Sequence, residues 1–158
     1  SFPIILLAIG IMAVLGAGFA NLMIALGVVY TPRFARLVRS SVLSIREKEY
    51  IEAARVTGCS DFTILFVHIL PNCWAPVIIQ ATISFGYAIL WEAALSFLGL
   101  GAPPPSPSWG SLLADGKEVL NRAPWLTYFP GAAIALTVLS LNLFGDGLRD
   151  VLDPRFKE

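Results

Sequence analysis

Four apolar blocks divide the chain: Phe2 to Leu15, about Ala20 to Tyr30, Ala75 to Leu98 and Trp125 to Phe144. The last two run for 24 and 20 residues, and about 20 apolar residues are enough to span a bilayer as a helix. Helices are the form expected there, because a helix satisfies its own backbone polar groups in lipid. The first two blocks read as one helix would extend roughly 43 Å at 1.5 Å per residue, well beyond a hydrocarbon core of about 30 Å. Gly16-Ala17-Gly18 and Asn21 sit where a turn would break it. A helical hairpin is therefore favoured, with the second arm continuing as far as Val38. The expected spans are 2–15, 20–38, 75–98 and 125–144.

Polar positions orient these spans. Arg33, Arg36, Arg39, Arg46, Lys48 and Arg55 lie between the second and third blocks, and Arg149, Arg155 and Lys157 follow the fourth. The connection 99–124 carries only Lys117 and Arg122, offset by Asp115 and Glu118. Cytoplasmic loops collect basic residues, so residues 39–73 and the C-terminus are expected in the cytosol and 99–124 outside. Trp74 and Trp125 stand at block starts, where aromatic belts form. The arginines at 33, 36 and 39 share a helix face and are expected to snorkel to lipid headgroups.

Between Arg39 and Pro71 the pattern changes. Ser44-Ile45-Arg46-Glu47 fits a capping box, opening a helix through Glu52-Ala53-Ala54 that Gly58 would end in the left-handed conformation. Ser60 or Asp61 would cap a second helix, Phe62 to Leu70, closed by Pro71. The small Ala53-Ala54 pair permits close backbone approach, so this surface suits a groove in another protein. An amphipathic helix lying on the membrane fits the same composition. On the other side, prolines 103, 104, 105 and 107 predict a stiff, extended stretch. A short helix follows from Ser108, its N-cap, to Asn121.

Composition narrows the classes. Hydrophobic residues make up 56% and charged residues 14% of 158, and mean hydropathy is +0.73. Soluble domains carry about a quarter charged residues, so this is a membrane composition. Eleven basic and eleven acidic residues cancel, which gives no field for nucleic acid. The chain starts at Ser1 within an apolar run and reads as a fragment without a signal peptide. Cys59, Cys73 and the single His68 lack metal-ligand spacing, and the two thiols read as reduced, packed groups. Gly110 to Lys117 has the wrong glycine spacing for a phosphate loop, and Glu118 stands where Ser or Thr is required. There is no GxSxG, and only Glu92 is an acid at membrane depth, so no catalytic residue is assigned. Gln80, Glu92 and Asn142 are the polar positions within the spans. They suit either pathway lining or contacts between helices. Pro130 is expected to kink the last span.

The segment Glu52-Ala53-Ala54, three residues, Gly58, then Leu70-Pro71 closely resembles the EAA signature of permease subunits from binding-protein-dependent ABC importers. His68-Ile69-Leu70-Pro71-Asn72 is similar to the dipeptide, oligopeptide and nickel branch. A second triplet, Glu92-Ala93-Ala94, has Leu98 where glycine is needed and fails the spacing. Glu92 to Gly101 with Pro104 to Gly110 (PPSPSWG) resembles the fifth span and following loop of that branch. Gly145 to Asp150 with Leu152 to Arg155 is similar to its C-terminal end, and Pro3 to Arg39 also resembles it.

The resemblance implies an all-α membrane protein, a polytopic helical bundle of the type I ABC importer permease kind. About four spans are present with a cytosolic coupling segment, 44–71, in one domain, 1–158; two upstream spans are missing. It implies a bacterial or archaeal cell membrane. The partners would be two ATPase subunits, which bind the ATP, a second homologous permease subunit and an external substrate-binding protein. Glu52, Ala53, Ala54, Gly58, Leu70 and Pro71 would couple the chain to the ATPases, and peptides, nickel or similar small solutes would be carried. The chain itself would perform no bond chemistry and hold no cofactor. A membrane scaffold whose cytosolic helix docks a partner other than an ATPase is the alternative.

Overall fold

The computed structural model describes residues 3–152. Phe2, Arg155, Lys157 and the Asp153-Pro154-Arg155 part of the C-terminal pattern lie outside the described residues. Among the described residues every regular element is a helix: α1 (Ile4–Leu15), α2 (Phe19–Arg46), α3 (Glu49–Val56), α4 (Asp61–Phe97), α5 (Trp109–Glu118) and α6 (Trp125–Leu152).

The hairpin between α1 and α2 is built from the residues that suggested it. Gly16 and Gly18 take φ values of 83° and 154°, conformations an L side chain resists. The Asn21 side-chain amide donates to the carbonyls of Leu15 and Gly16 at 2.8 and 3.2 Å, satisfying the orphaned end of α1. The two arms close around Ala8, Met12, Leu22, Ala25 and Leu26, joined by Leu95 from α4.

Three expectations fail. Ser44 and Glu47 form no capping box: Ser44 lies in the last turns of α2, and Lys48 precedes α3 without a side-chain cap. Val42 and Ile45 explain this. Both face an apolar cluster with Ile51, Ile64, Ile69 and Cys73, so burial carries α2 about two turns past Val38, to Arg46. Second, Pro71 ends no helix. Residues 61–97 form one element in which Ile64–Ile69 is wound as a π-helix, and the Leu70 N–H bonds to the Leu65 carbonyl, five residues back. The wider turn absorbs the proline ring that a tight turn would push onto a carbonyl. The Asn72 side chain donates to the His68 carbonyl at 2.7 Å. Third, the proline segment is not extended. The Ser106 N–H bonds to the Pro103 carbonyl at 3.2 Å, and this turn folds the chain back over the end of α4.

From there Ser108 caps α5 in a reciprocal box with Ser111. Glycines let α5 wedge between α4 and α6. A Cβ on Gly110 would fall onto the Ala93 carbonyl and the Ser96 side chain of α4, and one on Gly116 would lie 2.7 Å from Thr127 Oγ1 of α6. Further along, α6 lies against α4 where Gly86 faces Val138 and Asn142, and where Gly145 faces Thr82. Pro130 sits within α6, buried and without ending it.

Two helices, α4 and α6, are long and apolar enough to cross a membrane. Only 6% of the most apolar stretch of α6 is buried, and Phe129, Leu136, Leu139, Leu143 and Phe144 stand exposed along it. A patch of that extent requires lipid or protein against it.

Candidate functional site: the α3 surface and a cleft beside Glu92

Helix α3 has eight residues, too few to be stable alone. Its charges suit its dipole, with Glu49 and Glu52 in the first turn and Arg55 in the last. Ile51 supplies the anchor. Its side chain is fully buried in the cluster with Ile45, Ile64, Ile69 and Cys73, worth about 1.5–3 kcal/mol. The C-terminus closes in a Schellman motif. The Cys59 N–H reaches the Ala54 carbonyl and the Gly58 N–H the Arg55 carbonyl, both at 3.0 Å, while Gly58 takes φ +85°. The Thr57 hydroxyl donates to the carbonyls of Ala53 and Ala54 at 3.1 and 2.9 Å. Ser60 then accepts from the Thr63 N–H at 3.2 Å and starts α4.

The structure separates Glu52, Ala53 and Ala54 by face. Glu52 and Ala53 are exposed, whereas Ala54 is half-buried against the isoleucine cluster. Tyr50 and Val56 share the exposed side, Val56 at 88% exposure. Glu52 also lines a recess with Leu43, Arg46, Glu47 and Arg55. Leu70 is half-buried and Pro71 exposed, both within α4 just past the π turn. Cys59 is an exposed free thiol and Cys73 a buried one. Among the described residues, no three of His, Cys, Asp and Glu gather as metal ligands would.

The three polar span residues do not converge. Gln80 donates to Ser84 within α4 at 3.0 Å. Asn142 lies on α6 opposite Gly86, an interhelical position. Glu92 accepts from the Ser96 hydroxyl at 2.7 Å. It lines an open cleft of about 990 Å3 between α2 and α4, to which residues 106–109 also contribute. Sequence reasoning missed the cleft and the contribution of that segment, since the residues involved lie far apart along the chain. It also missed Gly110, whose place in the PSWG pattern carried no local reason.

The family model for the binding-protein-dependent transport system inner membrane component matches residues 1–158. The chain belongs to that family. It is thus an all-α membrane protein, with helices as the regular elements among the described residues. A dipeptide transport system permease protein, DppC, of Alkalihalophilus pseudofirmus is 54% identical over 157 residues, 99% of this chain and 52% of the relative. A glutathione transport system permease protein, GsiD, of Salmonella typhimurium is 50% identical over the same shares. A di/tripeptide transport system permease protein, DppC, of Pseudomonas aeruginosa is 48% identical, again over 99% and 52%. The chain spans about half the length of the curated relatives it matches.

Proposed function

We propose that this family member acts as a permease subunit of an ABC importer for peptides or similar small solutes. In this reading α3 is the coupling helix. It docks in a groove of one ATPase of a pair, while a second permease subunit completes the pathway and an external binding protein delivers the solute. Residues 39–73 and the C-terminus face the cytosol, and 99–124 face outward. ATP is bound by the partners, whose closure drives a two-state tilt of the spans through differential contact with α3.

The observation that carries this reading is the construction of α3. One face is fixed to α2 and α4 through Ile51, while Tyr50, Glu52, Ala53 and Val56 stand exposed. The anchored face keeps α3 moving with the spans, and the exposed surface is small enough at Ala53 for another backbone to approach closely. Gln80 and Asn142 act as packing contacts in the spans, and Leu70 and Pro71 position the π turn beside α3.

A cysteine crosslink tests the docking. Ala53→Cys in the assembled complex should link to a cysteine in the ATPase groove. Failure in every nucleotide state, with the complex intact, would leave the scaffold reading in its place. Charge reversal is expected to be severe as well. Glu52→Lys puts a third cation into the recess with Arg46 and Arg55, where like charges repel. Uptake should fall to background with the chain still inserted, as measured by radiolabelled dipeptide and membrane immunoblot. Wild-type uptake by this variant would refute the coupling assignment.

A further inference from the structure

The cleft between α2 and α4 has mostly apolar walls, including Phe19, Met23 and Leu26 from α2 and Phe85 and Ala88 from α4. Its volume, about 990 Å3, falls within the roughly 300–1,000 Å3 of small-molecule sites. Among the described residues that line it, Glu92 is the one carboxylate, and none is Lys, Arg or His. Its orientation is built in. Ser96 donates to Glu92 Oε1 at 2.7 Å, and Ser96 is itself 5% exposed. Side-chain atoms at Gly101 or Gly110 would collide with Ser96, so the backbone closes over it at both positions. The serine that aims the carboxylate is thus locked by the segment that also lines the cleft.

A carboxylate with an apolar surround interacts with a cation more strongly than in water, and a compact ammonium with three donors completes its free lone pairs. We propose that Glu92 is the transient contact for the primary ammonium of a solute in passage, and that the apolar walls accept the solute's side chains. This rests on the peptide-permease reading above. It assigns to this half of the subunit a preference for solutes with a free amino group.

The complete permease chain, with its ATPases and binding protein in proteoliposomes, provides the test, with alanyl-phenylalanine as the probe. Glu92→Gln keeps shape and removes charge. The dipeptide carried per ATP hydrolysed at saturating binding protein should drop about tenfold, as expected for losing a charge-assisted contact, and Glu92→Asp should recover part of it. In a background with every cysteine of the complete chain replaced by serine, Cys59 and Cys73 included, Ala88→Cys, which lines the same cleft with Glu92 in place, should react with 2-aminoethyl methanethiosulfonate, and the dipeptide should slow that reaction. An unchanged ratio of transport to hydrolysis in Glu92→Gln overturns the proposal, as does labelling of Ala88→Cys that the dipeptide leaves unaffected. A merely structural Glu92 would lower uptake and hydrolysis together, leaving that ratio intact. If the wild-type complex itself fails to carry the dipeptide, the peptide-permease reading fails and takes this assignment with it.

Discussion

Gly58→Val is expected to abolish uptake while the chain still inserts in the membrane. Crowding is not the reason, because a Cβ at Gly58 would meet nothing within 4 Å. The backbone is. At φ +85° an L residue pays about 1–2 kcal/mol, and β-branching makes valine one of the worst occupants. Relaxing φ instead would break the two Schellman bonds to Ala54 and Arg55, each worth about 1 kcal/mol. Since α3 is held mainly by Ile51, either route misplaces its exposed face. Gly58→Asn should retain much of the function, because asparagine tolerates the left-handed region. Uptake assays with membrane immunoblots check both variants. Full transport by Gly58→Val would show that the end of α3 does not set its docking.

Gly110→Val should act at the opposite end of the bundle and through the opposite cause. Here the added carbons fall on the Ala93 carbonyl and Ser96, and backbone cannot give way as a flexible side chain would. Overpacking of this kind costs about 1–3 kcal/mol, so the midpoint of thermal unfolding in detergent should drop by roughly 5 °C. Because Ser96 aims Glu92, uptake should fall with it. Gly147→Val is the control, since a Cβ there would meet nothing within 4 Å. If Gly110→Val melts with the wild type, α5 is not wedged against α4 as described.

What the sequence made readable was short-ranged. Gly58, Ser60 and Ser108 announce helix ends through bonds to residues a few positions away, and each does so in the structure. The break at Gly16–Gly18 follows from similar local chemistry. The capping box at Ser44 had equally good local credentials and lost, because Ile45 gains more by burial against Ile51 and Ile69 than a new helix gains from a cap. Pro71 misled for a related reason: a proline need not stop a helix, since Pro32, Pro76 and Pro130 also lie inside helices that run on past them, and at Pro71 the π turn before it gives the ring room. Ala53 and Ala54 are adjacent letters in one motif, yet one faces out and the other in. The 3.6-residue turn separates them, but only the position of Ile51 decides which way each points. The Glu92 cleft was illegible, since it depends on α2, α4 and residues 106–109 meeting.

The continuity of α4 across Pro71 has a mechanical consequence. At 1.5 Å per residue, its 37 residues form a beam about 55 Å long. It starts beside α3 and ends beside Ser96. Pivoting such a beam by about 5° about one end sweeps the other through roughly 5 Å, nearly the pitch of one helical turn. In the coupling reading, a joint at Pro71 would absorb a push on α3 as bending, whereas a continuous helix would deliver it to the far rim as displacement.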